Sequence, residues 1–295
     1  MRFDADPAGG TLTTVEDRIR RAAAVAGRSS TGTLIALTAL IRRDLRTEPL
    51  VRIPVLLDLA FATVNLAIFL FISRFLTAPG RGSVEPSHSY FDYVAVGIAY
   101  MLVMQATTTQ LTMRITSEQR AGTLEMLAAQ PMSPAALAVG TCGYPFLFAA
   151  LRASIYLAVL APLLGLRVGH ADWLGMAVLL VAGCAAMAGI GILLMAVTIV
   201  VGHGDAAARV IVVALTFLSG TYFPVGTLGP VLHPLSALLP SRFALDGLRA
   251  ALAGAAWTGP ALALLGIAVV LLPLSIWIFG GALRLATKRG VLTRE

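Results

Sequence analysis

The chain alternates long apolar runs with short polar or proline-rich segments. Each apolar run is about 20 residues long, which is enough to cross a ~30 Å hydrocarbon core as an α-helix. This pattern predicts six transmembrane helices, at about 53–73, 90–113, 136–164, 173–201, 206–223 and 260–283. A β-barrel would need short segments of alternating polarity. The sequence therefore predicts an all-α membrane protein.

A polar stretch at 117–134, SEQRAGTLEMLAAQPMSP, separates the second apolar run from the third. Glu118 and Glu125 exclude it from the hydrocarbon, because a charge at mid-bilayer costs about 2.5–3.5 kcal/mol. Leu124 and Leu127 recur at helical spacing before two prolines end the pattern. The stretch predicts a short amphipathic helix at a membrane surface, in which Gly122 either permits close approach or breaks the helix.

A second distinctive stretch covers residues 219–254 and is rich in proline. It cannot form one straight spanning helix, because proline removes a helical hydrogen bond and clashes with the preceding turn. It is also too apolar for an ordinary loop. We expect a pair of short helices that dip into the outer leaflet and are buried against protein. Asp246 and Arg249 are three residues apart and can interact on one helical turn.

The N-terminal region divides into two parts ahead of a transmembrane domain at 49–295. Residues 1–32 are polar and basic, which is typical of a mostly disordered tail on anionic lipid. Over residues 33–48, apolar side chains such as Leu34 and Leu37 share one helical face, and arginines occupy the other. This pattern predicts an amphipathic interfacial helix on the cytoplasmic leaflet.

The placement of positive charge predicts the orientation. Nine of the 22 Lys and Arg residues precede residue 53, and four follow residue 283. The positive-inside rule therefore places both termini in the cytoplasm. The composition, 58% hydrophobic and 13% charged, is typical of a membrane protein. Basic termini next to apolar runs favour contact with the lipid headgroups of a membrane. They give no indication of a nucleic-acid partner.

Among the polar residues within the predicted spans, Asp58, Asn65 and Arg152 are notable. Asp58 and Asn65 share a helical face. These residues either line a transport pathway or fix helix packing. At 1.5 Å per residue, Asp58 lies ~8 Å from the inner surface and Arg152 ~20 Å from it. This difference in depth favours separate partners over a direct pair.

The sequence lacks the motifs of a self-contained ATPase or hydrolase. A phosphate-binding loop needs a lysine after glycine, and the only lysine is Lys288. His88 and His170 could meet at the outer surface, but no H-E-x-x-H or G-x-S-x-G motif accompanies them. Cys142 and Cys184 lie in apolar runs without metal-ligand spacing. We therefore expect neither an enzyme nor a bound metal.

Two stretches resemble ABC-2 type transporter permeases, the membrane subunits of ABC exporters with a fold similar to the ABCG group. The stretch at 117–134 resembles their cytoplasmic coupling segment through Glu118, Gly122, Thr123, Leu124, Glu125 and Leu127. The stretch at 219–254 resembles the extracellular re-entrant segment of drug and lipid exporters through Phe223, Pro224, Pro240, Asp246 and Arg249. The resemblance covers roughly residues 34–285.

The resemblance implies a permease subunit without a bound cofactor. Two copies, or one copy and a sister permease, would form the pathway, and two copies of a separate ATPase subunit would bind ATP and Mg. The substrate would be a hydrophobic or amphipathic drug, antibiotic or lipid. With one lysine against 21 arginines and abundant alanine and glycine, the composition suggests a GC-rich bacterial genome. The expected location is therefore the bacterial cytoplasmic membrane.

Two other transport functions remain open at this stage. A polysaccharide-exporting permease usually ends the re-entrant segment with Asn-Pro and Tyr-Arg and presents aromatic faces, but only 7% of this chain is aromatic. An ion-coupled secondary transporter usually places carboxylates near mid-membrane. Here Asp58 is the only carboxylate well inside a predicted span, and no inverted repeat is evident.

Overall fold

The structure is a computed structural model that describes residues 52–76, 90–123, 133–201 and 204–289. All regular secondary structure in these ranges is helical. The eight helices are α1 (Arg52–Leu76), α2 (Tyr90–Arg120), α3 (134–163), α4 (Trp173–Val201), α5 (Gly204–Leu218), α6 (Gly229–Ser236), α7 (Pro240–Leu252) and α8 (Thr258–Arg289). The predicted tail at 1–32 and interfacial helix at 33–48 lie outside the described residues.

Four helices, α2, α3, α4 and α8, are long and apolar enough to cross a membrane. Helices α1 and α5 contain shorter apolar stretches, Ala60–Phe75 and Ala206–Leu218. On α8, Val269 and Trp277 are largely exposed, as expected for side chains that face lipid acyl chains. The prediction of an all-helical membrane protein is thus confirmed for the described residues, whereas spanning by α1 and α5 stays a prediction.

Helix α2 is longer than the sequence predicts. The apolar run ends near Met113, but the helix continues to Arg120. Thr112 and Thr116 donate their hydroxyl groups to carbonyls of the preceding turn, at 2.8 and 2.9 Å. Polar side chains that bond their own backbone in this way do not interrupt a helix. The helix also contains one π-helical turn, Ala106–Gln110.

Helix α4 lies at the centre of the bundle and packs along α8, with α7 across its outer part. Small residues permit this close approach. A Cβ atom placed on Gly189 would lie 2.6 Å from Leu271 Cγ, and one on Gly191 would lie 2.7 Å from the Thr107 carbonyl oxygen. Close helix contact, which the many small residues of this span predict, is therefore present.

Helix α5 ends at Leu218, five residues before the predicted end of the fifth span. The chain turns at Gly220, which has φ +76°, a conformation that other residues rarely adopt. The rest of the proline-rich stretch forms a 3₁₀ turn, Val225–Leu228, followed by α6 and α7. The stretch thus folds as two short helices, and Pro240 occupies the first turn of α7, where proline is tolerated.

Candidate functional site

One cluster of contacts joins three parts of the chain that are distant in sequence. We call it the outer junction, with outer and inner named after the orientation that the sequence predicts; it consists of Tyr93 on α2, Gly220 after α5, and Asp246 and Arg249 on α7. Arg249 Nη2 donates to the Gly220 carbonyl oxygen at 2.8 Å, and the Tyr93 hydroxyl donates to the same oxygen at 2.9 Å. A single carbonyl group therefore links α2, the end of α5 and α7.

Arg249 is held on several sides. Its guanidinium carbon lies 3.4 Å from the centre of the Tyr93 ring, in the geometry of a cation–π contact. Its Nε and Nη2 atoms also donate to the Tyr93 carbonyl oxygen, at 3.4 and 3.3 Å. The side chain is only 14% exposed. Arg249 is therefore a largely buried, multiply bonded residue and not a freely solvated surface charge.

Asp246 completes the charge balance of the outer junction. Its carboxylate lies 3.9 Å from Arg249 Nη1 and 3.6 Å from Arg242 Nε. The interaction that the three-residue spacing predicts is present. The Asp246 side chain is 49% exposed; its partial removal from water raises the pKa of the carboxyl group, and the two neighbouring guanidinium groups oppose this shift. Burial likewise lowers the pKa of Arg249, although its charge persists because its ordinary value is so high.

The other residues of the predicted gate lie around this junction. Phe223 is half-buried, and its ring centroid is 5.9 Å from that of Phe217 on α5. Pro224 is exposed in the turn that follows, whereas Pro240 is buried at the start of α7. Sequence reasoning missed Tyr93, because a single tyrosine at the edge of an apolar run carries no specific signal.

A second contact that sequence reasoning missed holds the C-terminal end of α7, just after Arg249. Asp172 Oδ1 accepts the Gly175 N–H at 3.0 Å and so caps α4, while Oδ2 accepts the Trp257 indole N–H at 2.7 Å. The Asp172 N–H in turn donates to the Ala251 carbonyl oxygen at 2.8 Å. These donors, the Gly175 N–H first, lower the pKa of the Asp172 carboxyl group. An aspartate just before an apolar run is a helix N-cap signal that could have found it.

The inner end of α2 carries the described part of the predicted coupling segment. The Thr123 hydroxyl donates to the Glu118 carboxylate and also lies 3.3 Å from the Glu118 carbonyl oxygen. Gly122 has φ +69°, so it ends the helix. Of the two alternatives left open for Gly122, the structure shows the helix break. The remaining predicted coupling residues, Leu124, Glu125 and Leu127, lie outside the described residues.

The polar residues predicted within the spans lie apart in the structure. Arg152 is 4% exposed; its Nη2 atom lies 3.5 Å from Gln110 Oε1, and its guanidinium carbon is 5.2 Å from the Phe148 ring centroid. Asn65 donates to the Phe61 carbonyl oxygen of its own helix, at 3.1 Å. The side chain of Asp58 lies outside the description. Arg152 thus has contacts of its own on α2 and α3.

The spans and contacts described above define a polytopic helical membrane protein in which Arg249 joins α7 to α2 and to the end of α5. The family model of the ABC-2 type transporter matches residues 36–253. The chain therefore belongs to the ABC-2 type transporter family, and its matched region is a permease domain without a nucleotide-binding domain. Permeases of this family generally work with a partner ATPase. Among the curated proteins, none matches this chain.

Proposed function

We propose that this chain is the membrane-spanning subunit of an ATP-driven exporter that moves hydrophobic or amphipathic molecules out of the cytoplasm or inner leaflet. The match to the permease family carries the proposal. Six spans, formed by α1 to α5 and α8, would place both termini in the cytoplasm of a bacterial cell. A second copy or a sister permease would complete the pathway, and two ATPase subunits would bind ATP and Mg.

The inner end of α2 supplies the proposed contact with the ATPase. Glu118 is half-exposed there and is fixed by the Thr123 hydroxyl, so a carboxylate is held in one orientation beside a sharp glycine turn. A charge held in this way can pair with a basic residue of the ATPase without a further loss of side-chain entropy. Residues 117–131, including Leu124, Glu125 and Leu127, would form the whole coupling segment.

The outer junction supplies the proposed gate. Arg249, paired with Asp246 on its own helix, attaches α7 to α2 and to the end of α5, so a movement of either helix is transmitted directly to α7. ATP-driven closure of the ATPase subunits would push on the coupling segment at one end of α2. Tyr93, near the other end of the same helix, would then shift the outer segment at 224–256. Helix α2 thereby connects the two sites mechanically.

The proposed substrate is a drug, antibiotic or lipid. The preference rests on the resemblance of residues 239–249 to drug and lipid exporters, together with the low aromatic content of the chain. Binding of sugars usually uses aromatic faces, so a polysaccharide substrate fits less well.

Charge reversal in the coupling segment tests the proposal. The chain is purified with its ATPase, and co-elution and substrate-stimulated ATP hydrolysis are measured. We expect Glu118→Arg and Glu125→Arg to leave the permease inserted and to abolish stimulated hydrolysis. Lys288→Glu, a charge reversal at the exposed inner end of α8, is the matched control and should retain both activities. Wild-type behaviour of both glutamate variants would exclude residues 117–131 as the coupling segment.

A further inference from the structure

Helix α2 contains three glutamines, and one of them differs from the other two in its hydrogen bonding. Gln110 accepts a hydrogen bond from Arg152, and Gln119 donates to the Ile199 carbonyl oxygen. The side-chain amide of Gln105 makes no hydrogen bond to any residue in the described ranges. A primary amide has two donors and an acceptor, so Gln105 carries unused hydrogen-bonding capacity.

The threonines of α2 show the same contrast. Four of the five donate their hydroxyl groups to carbonyls of their own helix: Thr107, Thr108, Thr112 and Thr116. Thr109 makes no such bond among the described residues. It lies about one turn from Gln105, and both side chains are half-exposed. The π-helical turn Ala106–Gln110 includes Thr109, and such turns are frequent at functional sites.

Gln105 also marks a change in the surroundings of α2. It lies at the midpoint of the 31-residue helix. Residues 94–104, on its outer side, are all buried. From Gln105 towards the inner end, one face becomes accessible through Thr109, Met113 and Ser117. The helix is therefore enclosed by its own chain in the outer half and has an open face in the inner half.

An open face of this composition does not suit contact with lipid acyl chains. An unpaired amide or hydroxyl group in hydrocarbon costs several kcal/mol, so polar side chains at this depth face water or a polar partner. Met113, 52% exposed on the same face, adds an adaptable apolar surface next to the two polar groups. The face thus combines neutral hydrogen-bonding groups with an apolar surface, and this combination matches an amphipathic ligand.

We propose that Gln105 and Thr109 form a polar step in the export pathway that binds the hydrogen-bonding group of an amphipathic substrate. This inference rests on the proposed function. Both side chains donate and accept hydrogen bonds and neither is charged. They suit amine, hydroxyl or amide groups on an apolar body, whereas a carboxylate or phosphate group would call for an arginine.

Cysteine labelling of the full chain in membranes with its ATPase, without ATP, tests the location of this face. Cys142 and Cys184 are first replaced by alanine, and a single cysteine is introduced by Gln105→Cys or Thr109→Cys. Controls are Leu151→Cys and Val269→Cys, at positions where the native side chains are 53% and 71% exposed on the outside of the bundle. A charged thiosulfonate reacts only where a thiolate can form in water. We expect labelling at 105 and 109 to be roughly tenfold faster than at the controls.

Two results would overturn the inference. Labelling at positions 105 and 109 as slow as at positions 151 and 269 would place this face against lipid. Slow labelling together with an efficient disulfide between two copies of the Thr109→Cys variant would make it an interface between copies.

A pair of probes tests the binding chemistry. Rhodamine 123 and tetraphenylphosphonium are both monovalent amphipathic cations, but only rhodamine carries N–H donors. We expect rhodamine to protect a Met113→Cys variant, which keeps both Gln105 and Thr109 and reports from the same face, from labelling, and tetraphenylphosphonium to do so far less. Gln105→Leu should weaken the protection by rhodamine about tenfold, as expected for one lost hydrogen bond. Gln105→Asn should restore part of it, and Thr108→Val, which alters a hydroxyl bonded to its own helix, should have no effect.

The probe results and the proposed function can fail separately. Equal protection of the Met113→Cys variant by the two probes, or no protection by either, would overturn the binding role of Gln105 and Thr109. Failure of the proposed function would instead appear as an absence of ATP-dependent transport by the intact complex, while positions 105 and 109 are still labelled at the expected rates.

Discussion

The two short helices of the outer segment, α6 and α7, differ in how they are held. Helix α7 has one face fully buried against α4, α8 and α2, and Arg249 attaches it to backbone carbonyls of two other segments. Helix α6 packs mainly on the 3₁₀ turn and α5. Val231 on α6 and Leu238 in the turn after it are 75% and 77% exposed. One helix is anchored by charge and close packing, and the other presents an apolar surface.

The difference shows that the proposed gate has a fixed part and a looser part. Few buried contacts mean a low free energy of local opening, whereas a helix buried on several sides opens only with the surrounding bundle. The hydrogen bond from Arg242 Nη1 to Ser236 Oγ, at 3.0 Å, connects the two helices. Helix α7 can therefore act as the frame against which α6 moves.

The largest effect is expected from filling the space beneath the anchored helix. A Cβ atom on Gly247 would lie 2.5 Å from Leu179 Cδ2 and 3.0 Å from Pro260 Cβ. We expect Gly247→Leu to lower the free energy of unfolding by about 3 kcal/mol or more, because a close-packed site cannot accept the added volume. Thermal unfolding in detergent measures it. Ala237→Leu, in the exposed turn after α6, is the control, and an equal loss of stability there would refute the contrast.

An intermediate effect is expected from removing the charge that anchors α7. Arg249→Ala leaves the Gly220 and Tyr93 carbonyls without their guanidinium donor, so we expect a loss of about 2–4 kcal/mol and impaired export with ATPase binding unchanged. Arg242→Ala, which removes a more exposed ion pair and one hydrogen bond to Ser236, should cost less, about 1 kcal/mol. Unfolding temperatures and export are measured for both. Unchanged export in a well-expressed Arg249→Ala protein would refute the gate.

The smallest effect concerns the end of α7 that Asp172 holds. The folded-state pKa of this carboxyl group is lowered from 3.8 by the Gly175 N–H and the Trp257 indole. Its contribution is therefore fully present above pH 3.8 and is lost as the pH falls through the lower folded-state value. We expect wild type to unfold at a higher temperature than Asp172→Asn at neutral pH, with the difference disappearing in acid. A pH-independent difference would contradict this assignment.

The sequence predicts the helical architecture because its information lies in the length and polarity of continuous runs. The apolar run at 173–201 coincides with α4. The end of α2 was not predictable from hydropathy, because Thr112 and Thr116 satisfy their own hydrogen bonds within the helix. The sequence predicts only the local part of the outer junction. The spacing of Asp246 and Arg249 is local, whereas Tyr93 reaches Gly220 across 127 positions and no periodicity records such a contact.

The Gly220 carbonyl oxygen accepts hydrogen bonds from both Arg249 and Tyr93, and this has a consequence for the synthesis of the protein. Tyr93 and Gly220 are both present before Arg249, which follows Gly220 by 29 positions. At synthesis rates of about 5–20 residues per second, this interval lasts roughly 1.5–6 s. During that time the growing chain already contains α2 and α5 but lacks the guanidinium group that joins them. The junction therefore closes late in synthesis, after α1 to α5 have been made.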